Sequence, residues 1–259
     1  MDRRDLVNPA HTVAQITDLH FGGPAAAAAR VDLVLDHLMA MEPMPDLLLV
    51  TGDIADHGLP AEYDQARAAL ARWPGPMLVG IGNHDVRDAF TRGLLGREPV
   101  SGERLDQVLD LPHARFLMLD SLISAPAGER IDPGEITEAT LAWLGERLAE
   151  DARPTYVCLH HPPVEIGVSL MDPVMLRAPR RLEATLREHS HHAGTLVGHA
   201  HTQAVSTFAG KPLLIGGGVA STVPLGAEPL ALVWEQAPPS FAVHLLGEHG
   251  HLITHWRSL

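Results

Sequence analysis

Short apolar runs bounded by turn residues recur through the first two thirds of the chain, and segments with helical spacing separate them. The runs are His11 to Thr17, Asp46 to Thr51, Pro76 to Ile81, Ala114 to Leu119, Thr155 to Leu159 and Thr195 to Val197. A near-continuous stretch such as LLLV suits a strand covered on both faces, since a half-exposed strand would alternate. Between the runs, Val31, Val34, Leu35, Leu38 and Met39 share one helical stripe, with Pro24 and the alanines from Ala25 favouring its start. Pro60 opens a second helix with Tyr63, Ala66 and Leu70 on one face. Thr137 is placed to cap a third, carrying Leu141, Leu144 and Leu148. A fourth falls within Val174 to His189 with Leu182 and Leu186 inward, its start blurred by Pro179.

After His201 the pattern changes. Val205 to Phe208, Leu213 to Ile215, Leu230 to Trp234, Phe241 to Leu246 and Leu252 to Trp256 read as successive strands. The order predicts an α/β fold of βα units followed by a β-rich tail, with sheet packed on sheet and helices outside. Gly93 to Leu111 and Pro162 to Pro173 read as irregular loops near a site. No repeat or low-complexity linker interrupts the chain, so residues 1–259 read as one domain.

Composition narrows the function. A 46% hydrophobic, 20% charged chain is globular. No stretch approaches the roughly 20 uninterrupted apolar residues of a membrane span, and the opening MDRRDLVNPA lacks the apolar core of a signal peptide. The one cysteine, Cys158, excludes an internal disulfide and suits a reducing, cytoplasmic setting. A net charge of −13 argues against a nucleic-acid polymer as partner, which would need clustered Lys and Arg. A small phosphate ester remains compatible if metal ions supply positive charge locally. The 17 histidines, against 19 Lys plus Arg, direct attention to where they sit.

Five clusters follow apolar runs: Asp18-Leu19-His20, Gly52-Asp53, Gly82-Asn83-His84-Asp85, His160-His161-Pro162 and Gly198-His199-Ala200-His201. Ligands in open α/β sheets bind at the carboxyl ends of strands, so these side chains would converge on one crevice. Imidazole with carboxylate suits zinc, iron, manganese or cobalt without any thiolate. Each cluster alone has a plainer reading as a turn, a helix cap or a rigid loop. Five in this order, each at a strand end, outweigh that reading. His189, His191 and His192 fit a solvated helix end. His244, His249, His251 and His255 fit surface or turn positions, and Arg177, Arg180 and Arg181 a solvated helix face. His161, beside a candidate ligand, is placed to touch substrate, and Asp56 and His57 to support the ligands from outside.

The order D-x-H, G-D, G-N-H-D, H, G-H-x-H resembles the calcineurin-like metallophosphoesterase superfamily over nearly the whole chain. Gly-Asp-Ile followed by Gly58, Pro60, Glu62 and Tyr63, the segment TEATLAWLGERL, and HHPP with Met171-Asp172-Pro173 downstream resemble the bacterial class III cyclic-nucleotide phosphodiesterases and related glycerophosphodiesterases. The resemblance implies a four-layer αββα sandwich. It implies two divalent or mixed-valence metal ions (Fe, Mn, Co or Zn), one held by Asp18, His20, Asp53 and His201, the other by Asp53, Asn83, His160 and His199. It implies His84 beside the substrate phosphate and Asp85 orienting it, and attack by a hydroxide bridging the ions. The implied substrate is a small phosphodiester, a 3′,5′-cyclic nucleotide or a glycerophosphodiester, and relatives imply a dimer or larger oligomer.

Three departures bear on substrate. Ile81 replaces the usual proline before Gly-Asn-His. Ser221 stands where some relatives place a histidine, implying different contacts to the ester groups. The tail after His201 is shorter than in capped relatives, implying a more open site. Two other readings stay open: a phosphomonoesterase or broad-specificity nuclease of the superfamily, and a noncatalytic metal-binding scaffold. The scaffold ranks last, because such scaffolds lose ligands and this chain keeps all seven with His84.

Overall fold

The computed structural model describes residues 9–126, 128–247 and 251–259. Most of the opening MDRRDLVNPA, where no signal peptide is expected, and His249 lie outside them. The first sheet is built from β1 (His11–Ile16), β2 (Leu47–Thr51), β3 (Met77–Gly80), β12 (Ser240–Leu246) and β13 (Leu252–Ser258), in the order β13-β12-β1-β2-β3. The second holds β4 (Gln107–Leu111), β5 (Ala114–Leu119), β7 (Thr155–Leu159), β9 (His192–Val197), β10 (Ala204–Phe208) and β11 (Lys211–Ile215), in the order β10-β11-β9-β7-β5-β4. Two short strands, β6 (Gly134–Glu135) and β8 (Leu176–Arg177), pair separately. The helices are α1 (Ala27–Met39), α2 (Pro60–Leu70), α3 (Arg87–Gly93), α4 (Glu138–Glu150) and α5 (Arg180–Arg187).

Three apolar clusters define the layers. Val13, Leu47, Leu49 and Leu78 of the first sheet meet Phe116, Met118, Tyr156, Cys158 and Leu196 of the second. On the outer face of the first sheet, Ile16, Leu48 and Val50 pack with Val31, Leu35 and Leu38 of α1 and Tyr63 of α2. On the outer face of the second, Leu117, Val157 and Val197 pack with Leu144 and Leu148 of α4 and Leu182 and Leu186 of α5. Helix, sheet, sheet, helix is the four-layer αββα arrangement expected. Local chemistry agrees: Thr137 Oγ1 accepts the Thr140 N–H at 3.2 Å to cap α4, and the Glu62 carboxylate accepts the Leu59 N–H at 3.0 Å at the start of α2.

In each sheet the central strands run parallel: β1, β2 and β3 in the first, β5, β7 and β9 in the second. Their carboxyl ends carry the predicted clusters. The tail divides between the sheets. β10 and β11 extend the second, whereas β12 crosses back to lie antiparallel to β1. That crossing carries Val219, Ala220 and Ser221 past the ends of the strands, where the Val219 and Ala220 N–H groups bond the Thr17 and Asp18 carbonyls at 3.0 Å.

Four expectations are corrected. Leu230 to Trp234 forms no strand. Both edges of the first sheet are already defined by β13 and β3, and the segment makes one bridge, Thr222 to Trp234, leaving Leu230, Leu232 and Val233 exposed. Gly93 to Leu111 is not wholly irregular, because Gln107–Leu111 pairs antiparallel with β5. His192 begins β9 and is buried rather than solvated. His244 lies within β12, fully buried, with Nδ1 2.8 Å from Thr254 Oγ1 and Nε2 3.1 Å from Gln15 Oε1.

These two buried imidazoles have a consequence for stability. Burial pushes the pKa of His244 down to about 3 and that of His192 down to about 4. Unfolding frees both to bind protons near the ordinary value of about 6.5. The unfolded state therefore holds more protons just below that pH, and stability falls as pH drops. The urea midpoint is expected to fall steadily from pH 7 to pH 5, and to fall less in a variant carrying His192→Gln and His244→Gln. Equal slopes in the two proteins would contradict the assignment.

Candidate metal centre

The residues after β1 and β2 run side by side. The Asp18 N–H bonds the Gly52 carbonyl at 3.1 Å, and the His20 N–H bonds the Asp53 carbonyl at 3.1 Å. Seven described non-glycine residues have positive φ, and five of them are Asp18, His20, Asp53, His199 and His201. Left-handed backbone at five candidate ligands is costly locally and is held by the surrounding packing. Gly82 shows how tight that packing is, since a Cβ there would lie 2.2 Å from Asp53 Oδ1.

Ligating atoms of Asp18, His20, Asp53 and His201 all lie within 4.8 Å of one another. His20 Nδ1 donates to Asp56 Oδ1 at 2.8 Å, so its Nε2 carries a lone pair. His201 Nδ1 faces the Ser221 carbonyl oxygen at 3.3 Å and Oγ at 2.9 Å, which protonates Nδ1 and leaves its Nε2 bare. The two bare nitrogens face each other at 3.1 Å. Asp18 Oδ1 lies 3.4 Å from His201 Nε2, and both oxygens of this fully buried carboxylate lack a hydrogen-bond partner.

A second group repeats the pattern. His160 Nδ1 donates to the Thr51 carbonyl at 2.7 Å, and His199 Nε2 donates to the Val174 carbonyl at 3.0 Å. Their remaining nitrogens lie 3.2 Å apart and face the crevice. His160 Nε2 also lies 3.1 Å from Asn83 Oδ1 and 3.3 Å from Asp53 Oδ2. With His160 Nε2 deprotonated, these lone pairs all turn inward around Asp53 and repel one another, and a metal cation in place of the proton is what this arrangement fits. Asp53 belongs to both groups.

Titration tells the same story. Burial, followed by the charge of Asp53, lifts Asp18 to about 6. Burial works to raise Asp53 too, yet His160 and His84 hold it well below the usual carboxylate range. Burial opposes charge on His160, but the Asp53 and Asp18 carboxylates outweigh it and raise that imidazole to about 9. Burial pushes His201 down to about 4 and His199 well below its ordinary value. The crevice is short of positive charge.

His84 stands at the rim, only partly buried. Its N–H bonds Asp53 Oδ1 at 2.9 Å, its Nδ1 donates to the Asp56 carbonyl at 2.8 Å, and its Nε2 lies 4.0 Å from Asp53 Oδ2. Asp85 does not hold the His84 ring as expected. Its buried carboxylate accepts the N–H groups of Ile54, Ala55 and Gly82 and the Tyr63 hydroxyl, at 2.9 to 3.2 Å, and so fixes the two ligand loops. The Asp56 carbonyl orients the ring instead.

Two further expectations change. His161 is fully buried, with Nδ1 2.8 Å from Ser121 Oγ and Nε2 donating to the Asp132 carbonyl at 3.0 Å, so neither nitrogen is available to substrate. Burial lowers its pKa to about 3, consistent with a neutral ring that packs 4.6 Å from His199. Ser221 is buried against His201 and orients that ring rather than meeting an ester group. Asp56 supports both His20 and His84, as its position suggested, while His57 bonds Glu62. The sequence reading missed Arg130, on the loop after β5, whose Nη1 lies 3.0 Å from His84 Nδ1. A lone arginine in a polar loop has no spacing that marks it.

The sequence pattern of the calcineurin-like phosphoesterases matches residues 11–203, and the chain belongs to that family: it is a metal-dependent phosphoester hydrolase. It is 35% identical over 211 residues to a protein of Synechococcus sp. named as a probable cyclic nucleotide phosphodiesterase, covering 78% of this chain and 79% of that one. It is 29% identical over 247 residues to a glycerophosphodiester phosphodiesterase of Enterobacter lignolyticus, covering 90% and 86%. A dimetal phosphatase of Danio rerio superposes with a TM-score of 0.73 over 97% of each chain at 16% identity, which establishes the shared fold. Among the described residues, no helix is long and apolar enough to cross a membrane.

Proposed function

We propose that this chain hydrolyses small phosphodiesters, of the cyclic-nucleotide or glycerophosphodiester kind, with two metal ions in the crevice. Asp18, His20, Asp53 and His201 would hold one, and Asp53, Asn83, His160 and His199 the other. The observation that carries the reading is the convergence of ring nitrogens on either side of Asp53, with the Asp18 carboxylate buried and unpartnered beside His201. The names of the relatives favour a diester. When bound, a pair of first-row divalent ions neutralises the phosphate and makes a water molecule easier to deprotonate.

The chain's own residues supply the rest. Asp56 and the carbonyls of Thr51, Val174 and Ser221 fix each imidazole in the tautomer that turns a lone pair inward. His84 Nε2, with Nδ1 committed to the Asp56 carbonyl, faces the crevice and in its protonated form can hand a proton to a leaving oxygen. In the net reaction an oxygen of water bonds to phosphorus. The bond to the leaving ester oxygen breaks with its electron pair on that oxygen, which takes the proton. A phosphomonoester and an alcohol result.

The test compares bis(p-nitrophenyl) phosphate, p-nitrophenyl phosphate and 3′,5′-cyclic AMP on the manganese-loaded protein, with Asn83→Ala alongside. Diester turnover reduced about 100-fold in the variant is the expected result. Monoester turnover faster than that of either diester would move the chain to the phosphatase reading. No turnover of any ester would overturn the catalytic one.

A further inference from the structure

Two of the cavities that border the crevice meet beside His84. One, of about 430 Å³, lies under the loop after β5 and is bordered by Val86, Ile123 and Ile131. The other, of about 320 Å³, is bordered by Leu170, Val223 and Val233. Asn83, His84 and Arg130 line both, so these three mark the junction between them.

Of the two arginines at the larger cavity, Arg87 is committed. It forms a two-pronged pair with the buried Asp120, at 2.7 and 2.8 Å, and bonds Ser124 Oγ and the Leu122 carbonyl. Those bonds anchor the start of the loop. Its far end is anchored where His161 Nε2 donates to the Asp132 carbonyl. Arg130 lies between the anchors, about half exposed, with Nε on Asp132 Oδ1 at 2.5 Å. Its Nη1 sits 3.0 Å from His84 Nδ1, a nitrogen whose proton already goes to the Asp56 carbonyl at 2.8 Å. A ring nitrogen that donates has no lone pair in its plane to accept with. Arg130 Nη1 therefore faces another donor, and among the described residues Nη2 makes no hydrogen bond at all.

A guanidinium held over the junction with unmet donors is set up for an anion, and its planar fork matches phosphoryl oxygens. We propose that Arg130 is a substrate-binding residue that grips a nonbridging phosphoryl oxygen of the diester, holding phosphorus at the junction with the ester groups directed into the cavities beside it. This rests on the diesterase reading above. Asp132 orients the guanidinium by its pair with Nε, and Asn83 Nδ2 lies 3.5 Å from the same carboxylate oxygen.

The experiment measures kcat and KM for bis(p-nitrophenyl) phosphate, and inorganic phosphate affinity by calorimetry, on manganese-loaded wild type, Arg130→Gln and Arg130→Lys. Manganese content is determined for each. Arg130→Gln is expected to raise KM and weaken phosphate binding by about tenfold or more, with a smaller change in kcat and unchanged manganese. Arg130→Lys should recover part of both losses, because it keeps the charge without the fork. Unchanged KM and phosphate affinity in Arg130→Gln, beside an active wild type, would overturn the proposal and leave the diesterase reading standing. Loss of manganese with loss of kcat would also overturn it, by making Arg130 structural. An inactive wild type would sink the diesterase reading itself.

Discussion

Asp53→Asn is expected to lower kcat/KM for bis(p-nitrophenyl) phosphate by about 10³-fold or more and to strip manganese from the protein. Asp53 is the single carboxylate common to both ligand groups. Oδ2 lies 3.3 Å from His160 Nε2, 3.7 Å from His20 Nε2 and 4.0 Å from His84 Nε2, while Oδ1 accepts the His84 N–H at 2.9 Å. An amide keeps the shape and loses the charge that lets two cations sit close together. Metal analysis with steady-state kinetics checks the result. Wild-type manganese content with a rate within tenfold of wild type would mean that Asp53 is not shared.

His84→Ala should behave differently. The ring holds no position within either ligand group, and the backbone N–H that bonds Asp53 survives the substitution. Manganese content should stay at the wild-type level while kcat falls about 10²–10³-fold on a diester with an alkoxide leaving group. On p-nitrophenyl esters the fall should be much smaller, because p-nitrophenolate departs without a proton. A series of leaving groups of graded acidity reads this directly. An equal loss across the series would remove His84 from proton transfer and leave it a role in binding.

The sequence exposed the parts of this architecture in which one residue's position follows from one element. The strand LLLVT is almost wholly apolar because it lies between β1 and β3 and is covered on both faces, and all five of its residues are buried. Asp18, Asp53, Asn83, His160, His199 and His201 were legible because each follows such a run, and parallel strands bring their carboxyl ends together. What stayed hidden depends on partners distant in sequence. Leu230 to Trp234 has the composition of a strand, but composition does not say whether a sheet edge is free to accept it. His244 and His251 look alike in sequence, yet one is buried against Gln15 of a neighbouring strand and the other is exposed. Asp85 adjoins His84 in the chain and points the other way, toward the N–H groups of Ile54 and Ala55. The role proposed for Arg130 rests on its place over the junction of two cavities, which only the folded loop defines.

The paired metal centre is the claim on which the rest depends, and anomalous diffraction from crystals grown with manganese tests it most directly. Two peaks are predicted. One should be ligated by Asp18, His20, Asp53 and His201, the other by Asp53, Asn83, His160 and His199, with Asp53 touching both and His161 touching neither. A single peak, or an ion bound through His161 or away from Asp53, would contradict the account.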